Sequence, residues 1–102
     1  MTAILTELRQ RFEVLYGERL GRMVLFGSQA RGDAGPESDI DVLVVLQGPV
    51  DPGEDIARTG ELTAVFSLEH DMVISRIFIS TDQFFNEQSP LLLNVRREGI
   101  LL

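Results

Sequence analysis

The sequence predicts a small α/β domain of the α+β kind, a mixed sheet of about three to four strands with helices mainly on one face. Three observations predict it. The opening residues repeat apolar side chains at helical spacing, two short apolar runs flank a glycine-rich turn, and a second helical stretch separates the later run from a third.

The elements follow in order. Thr2 to Tyr16 places Ile4, Leu5, Leu8, Phe12 and Leu15 on one side of a helix, with Gly17 as a stop. Arg22 to Phe26 is a short apolar run closed by Gly27, and Asp39 to Leu46 is a β-branched-rich run closed by Gly48-Pro49, so both read as buried strands. Gln47 to Asp55, with two prolines and two glycines, reads as a loop. Glu54 to Glu69 carries Ile56, Leu62, Val65, Phe66 and Leu68 near helical period, with acidic residues in its first turn. Asp71 to Ile79 reads as a third strand, Thr81 as the N-cap of a short helix through Asn86, and Pro90 as the start of a last helix ending near Gly99.

Length and composition narrow the function. A chain of 102 residues is expected to form one domain. The longest apolar run, Val42 to Leu46, is far too short to span a bilayer, so no membrane role is expected. The N-terminus mixes charged with apolar residues and reads as mature sequence; together with the absence of cysteine this points to the cytoplasm. A net charge of −7 argues against nucleic acid as a partner, because such binding draws on Lys and Arg replacing phosphate counterions. It suits a metal-chelated ligand or a basic protein partner.

The chemistry concentrates in residues 27 to 41, GSQARGDAGPESDID. A strand ending in Gly27-Ser28, followed by a short helical turn, leaves backbone N–H groups aimed at an anion. Gly27 allows close approach, the Ser28 hydroxyl adds a hydrogen bond, and Arg31, three residues on, lies on the same side of that turn. Gly32, Gly35 and Pro36 then return the chain to start the next strand near the end of the first. Asp39 and Asp41, two apart at a strand start, point to one face. Like charges so close raise each other's pKa or demand a cation, and hard oxygen ligands beside a triphosphate favour Mg2+. A phosphate cradle facing a carboxylate pair implies nucleotidyl or phosphoryl transfer. A two-ion scheme needs a further carboxylate, for which Asp71 is the candidate because it opens the third strand, laid parallel to the second by a crossover helix. Glu69 is the fallback, and Ser75 could only assist.

Gly27-Ser28, ten intervening residues, then Asp39-Ile40-Asp41 resembles the signature of the polymerase-beta-type nucleotidyltransferases, and the fuller segment looks like their minimal single-domain branch. The resemblance covers residues 22 to 46, with a weaker likeness at Pro90 to Gly99. It implies the polymerase-beta-like fold and a catalytic, metal-holding set of Asp39, Asp41 and Asp71, with Gly27, Ser28 and Arg31 on the nucleotide. It also implies ATP as substrate, Mg2+ as two ions, and a partner toxin of the HEPN class. The implied reaction is transfer of AMP to a tyrosine hydroxyl of that toxin, with release of pyrophosphate, making the chain an antitoxin.

Two rival functions stand beside this one. The chain could neutralise its partner by occupying its surface with the nucleotide site idle, or it could modify a small molecule or an RNA end. His70 reads as an edge residue rather than a ligand, and Arg96 and Arg97 as dipole partners of a helix C-terminus. Leu43 and Val45 share the face of the aspartates, where a partner would cover what short helices leave bare. The apolar tail Ile100-Leu101-Leu102 must dock on the core or on another chain, which leaves an oligomer open.

Overall fold

The centre of the molecule is β2 (Ile40–Leu46), in which every residue except Asp41 is buried. A continuous apolar run of this kind needs cover on both faces, and the chain supplies it. The computed structural model describes residues 2–32, 35 and 39–102. The loop expected between the first two strands therefore lies partly outside the described residues, Pro36 included.

The sheet has four strands in the order β3-β2-β1-β4. β1 (Leu20–Phe26) is antiparallel to β2, and β3 (Ile74–Ser80) is parallel to it on the other side, as a crossover helix requires. The crossover is α3 (Pro52–His70). Its N-cap is Asp51, whose carboxylate accepts from the Glu54 N–H at 3.2 Å, and Pro52 sits in the first turn. Gly60 does not interrupt it.

Ile40, Val42 and Val44 of β2 face α1 (Thr2–Tyr16) and α3, where Leu8, Phe12 and Phe66 are fully buried. Burying a side chain of that size contributes about 1.5–3 kcal/mol. Leu43 and Val45 face the other way, into a second cluster with Phe84 of α4 (Thr81–Asn86) and Leu92 and Val95 of α5 (Pro90–Glu98). The two long helices thus share one face, while the two short ones cover the other. Leu43 and Val45 need no partner, because their own chain covers them.

Three local expectations are corrected. Ser80, not Thr81, caps α4: its hydroxyl accepts from the Gln83 N–H and the Gln83 side chain accepts from the Ser80 N–H, a reciprocal capping box. α3 runs through Glu69 and His70, so Glu69 is helical and has no strand parity. The Leu62-Phe66-His70 spacing of four explains why: the His70 ring packs against Phe66 with centroids 4.5 Å apart and planes tilted by 47°, extending the helix stripe by one turn. Asp71 does not open β3. It is the C-cap of α3, left-handed at φ 53°, with its N–H bonded to the Ser67 carbonyl.

The tail pairs at home through its backbone, with Leu102 against the core, while the side chains of Ile100 and Leu101 stay exposed. β4 (Ile100–Leu101) pairs antiparallel with β1, the Leu102 N–H donates to the Met23 carbonyl at 2.8 Å, and Arg9 donates to the Leu102 carbonyl at 2.9 Å. The approach is close enough at Gly99 that a β-carbon there would collide with the Val95 carbonyl and the Val24 side chain.

Candidate nucleotide and metal site

β1 ends at Phe26, and α2 (Gly27–Arg31) begins at once. Gly27 turns the corner at φ 74°, a conformation that costs a side-chain-bearing residue about 1–2 kcal/mol. Space makes a second demand at the same residue, because a β-carbon on Gly27 would collide with the carboxylate Oδ2 of Asp41. The register explains the contact, since Phe26 and Asp41 are partners across β1 and β2. The glycine corner and the second aspartate therefore meet in space, as the sequence predicts.

The N-terminus of α2 is capped by Phe26, which offers no side-chain acceptor, while its C-terminus closes on Gly32 in the left-handed region with a bond to the Ser28 carbonyl at 3.1 Å. First-turn N–H groups without a side-chain cap are what an anion can satisfy. Arg31, in the last turn, forms a half-exposed ion pair with Glu98 of α5 at 3.6 Å. The sequence reading missed Glu98, and no local pattern marks it, because the two residues meet only through the packing of α2 beside α5.

Asp39 is exposed just before β2, and Asp41 is half-buried one pleat further in. Desolvation pushes the Asp41 carboxyl above the usual carboxylate range; the charge of Asp39 pushes the same way and Arg31 opposes it. A carboxylate whose ionised form is disfavoured, with a second carboxylate beside it and a glycine corner against it, forms a hard-oxygen donor pair that fits a divalent cation such as Mg2+.

The other expected acids do not join them. Asp71 is exposed on the turn after α3, three residues before β3 begins. Glu69 receives a hydrogen bond from Arg11 at 2.7 Å. Among the described residues, the one set of three acidic or imidazole groups whose ligand atoms lie within 4.8 Å of one another is Glu7, Glu69 and His70. Arg11 binds both glutamates of that set and His70 lies 2.7 Å from Glu7. Its charges are already paired, and the hydrogen bonds from His70 and Arg11 hold the Glu7 carboxyl below its usual range. It reads as a surface clasp between α1 and α3.

Among the described residues no helix is long and apolar enough to cross a membrane. Two proteins of Methanocaldococcus jannaschii named as candidate protein adenylyltransferases are similar to the chain. One is 32% identical over 74 residues, covering 72% of this chain and 74% of the relative. The other is 38% identical over 89 residues, covering 85% and 82%. Among solved structures, a toxin-antitoxin complex with AMP-PNP superposes with a TM-score of 0.66 at 19% identity, over 97% of this chain and 69% of that one. A tri-AMPylated HEPN toxin of Shewanella oneidensis in complex with its MNT antitoxin gives 0.54 at 18%, over 96% and 70%. At these identities the structures speak for the fold. A family model of the nucleotidyltransferase domain matches residues 2–91, and the chain belongs to that family.

Proposed function

We propose that the chain transfers AMP from Mg2+-bound ATP to a hydroxyl on a partner protein, a tyrosine of a HEPN-type toxin, and so acts in the cytoplasm as an antitoxin. The observation that carries this reading is the Asp41 carboxylate lying against the Gly27 corner with Asp39 beside it. The names of the relatives and the neighbouring complexes support the class of acceptor.

In this reading Asp39 and Asp41 hold the cation, while the α2 backbone at Gly27 and Ser28, the Ser28 hydroxyl and Arg31 bind the phosphates. The bound ion would neutralise phosphate charge and fix the triphosphate. Arg31 exchanges Glu98 for phosphate at small cost, since an exposed ion pair is worth about 0–1 kcal/mol. The acceptor oxygen attacks the α-phosphorus, the bond to the β-phosphate oxygen breaks, and pyrophosphate leaves. Positioning and charge neutralisation provide most of the acceleration.

The test is to incubate the chain with α-labelled ATP, Mg2+ and the product of its neighbouring gene. Label should appear on the partner and fall at least about 100-fold with Asp39→Ala or Asp41→Ala. Neutralisation of the partner without label, unaffected by either substitution, would instead favour inhibition by complex formation.

A further inference from the structure

Asp41 has two neighbours in the sheet, Phe26 on β1 and Ser75 on β3. Parallel partners present their side chains to the same face, and Ile79 of β3 lies with Leu43 and Val45 under α4 and α5. Alternation from Ile79 back through Ile77 therefore puts Ser75 on the Asp41 face, directly beside the carboxylate. Val73 precedes it on that face, just ahead of the strand. No carboxylate stands at these positions. Asp71 caps α3 through its backbone N–H, its side chain is exposed on that turn, and β3 begins only three residues later.

We infer that, among the described residues, the cation site is built on two aspartates, with Ser75 occupying the strand position where a third carboxylate would complete a two-ion centre, so that no described group of this chain takes the acceptor proton. This rests on the proposed function. A third carboxylate in such a centre shares the second ion and lowers the pKa of the attacking hydroxyl. A serine hydroxyl does neither at neutral pH, because it has no charge to balance a divalent ion and is a poor base. The acceptor proton then leaves to a base from solvent as the new P–O bond forms and pyrophosphate departs. Transfer is slow at neutral pH and accelerates as hydroxide rises.

The experiment counts ions as well as turnover. Mn2+ titration in the presence of a non-hydrolysable ATP analogue, read by electron paramagnetic resonance, should give one tightly held ion in the wild type and two in Ser75→Asp. Ser75→Asp should raise transfer by about a hundredfold, the lower end of what a positioned base contributes. It should also flatten a rate profile that in the wild type climbs tenfold per pH unit. Asp71→Asn, which suits the left-handed cap, should leave ion count and rate within about twofold.

Two ions in the wild type would overturn the inference. So would loss of transfer in Asp71→Asn, Asp33→Asn or Glu37→Gln, the last two lying outside the described residues. A folded Ser75→Asp that gains neither ion nor rate would also overturn it. The wild-type count and Asp71→Asn decide the matter even where Ser75→Asp fails to fold. Absence of any nucleotide binding that depends on Asp39 and Asp41 would sink the proposed function itself, a result distinct from a count of two.

Discussion

The two ends of β2 are built on opposite terms. Where β2 ends and α3 begins, polar groups are answered inside the fold. The Tyr16 hydroxyl donates to the buried Asp55 carboxylate at 2.9 Å, Arg58 donates to the same oxygen at 3.3 Å, and Arg19 donates to the Pro49 carbonyl at 2.8 Å. Burial and the neighbouring Asp55 carboxylate push the Tyr16 phenol well above its ordinary range, so it stays a neutral donor. At the start of β2 the terms reverse. A glycine sits at positive φ, a helix begins without a side-chain cap, and burial and the charge of Asp39 disfavour the ionised form of Asp41. One end stabilises the fold, and the other holds unfavourable charge and uncapped backbone groups that a cation and a polyphosphate can satisfy.

Substitutions at the two ends should separate stability from chemistry. The largest effect belongs to the core between them. Phe66→Ala should cost about 3–5 kcal/mol in denaturant unfolding, since the ring is fully buried under α1. Tyr16→Phe should cost about 1–3 kcal/mol by leaving Asp55, 2% exposed, short of a donor, and should leave nucleotide affinity unchanged once the protein is folded. Gly27→Ala should cost about 1–2 kcal/mol of stability from φ alone, and it should also weaken nucleotide binding measured by calorimetry, because the methyl group displaces the Asp41 carboxylate.

The smallest effect has the opposite sign. The folded-state pKa of Asp41 is raised, so its ionised form costs the fold free energy at any pH above the unfolded value of about 4. Asp41→Asn removes that cost and should raise stability by a few tenths to about 1 kcal/mol at neutral pH, with the gain vanishing as pH falls below that unfolded value. Thermal scans across pH check it. A variant that is less stable than wild type at neutral pH, without added metal, would contradict the account of the site as a reservoir of unfavourable charge. Addition of Mg2+ and a nucleotide analogue should reverse the order, since only the wild type gains from binding.

Much of this arrangement is legible in contiguous residues. The helical stripe of α1, the apolar run of β2 and the Gly27-Ser28 corner each rest on local spacing or local backbone preference, and all three stand in the structure, except that the α1 stripe ends on buried Tyr16 rather than on Leu15, which is exposed. The shared face of Asp39 and Asp41 rests on the same alternation. The end of α3 was less legible. His70 and Asp71 read equally well as the start of a strand, and only the packing of His70 against Phe66 and the left-handed turn at Asp71 assign them to the helix.

That small difference decides the site. By itself the sequence determined the five helices, the first three strands and a glycine corner facing an acid pair, because period and turn chemistry are written in neighbours along the chain. Only the tertiary structure decided that Ser75 rather than Asp71 lies beside Asp41, that Arg31 meets Glu98, and that α4 and α5 cover Leu43 and Val45. Strand register across a crossover is set by where the connecting helix stops and how its face packs, and a shift of a few residues there exchanges a carboxylate for a hydroxyl.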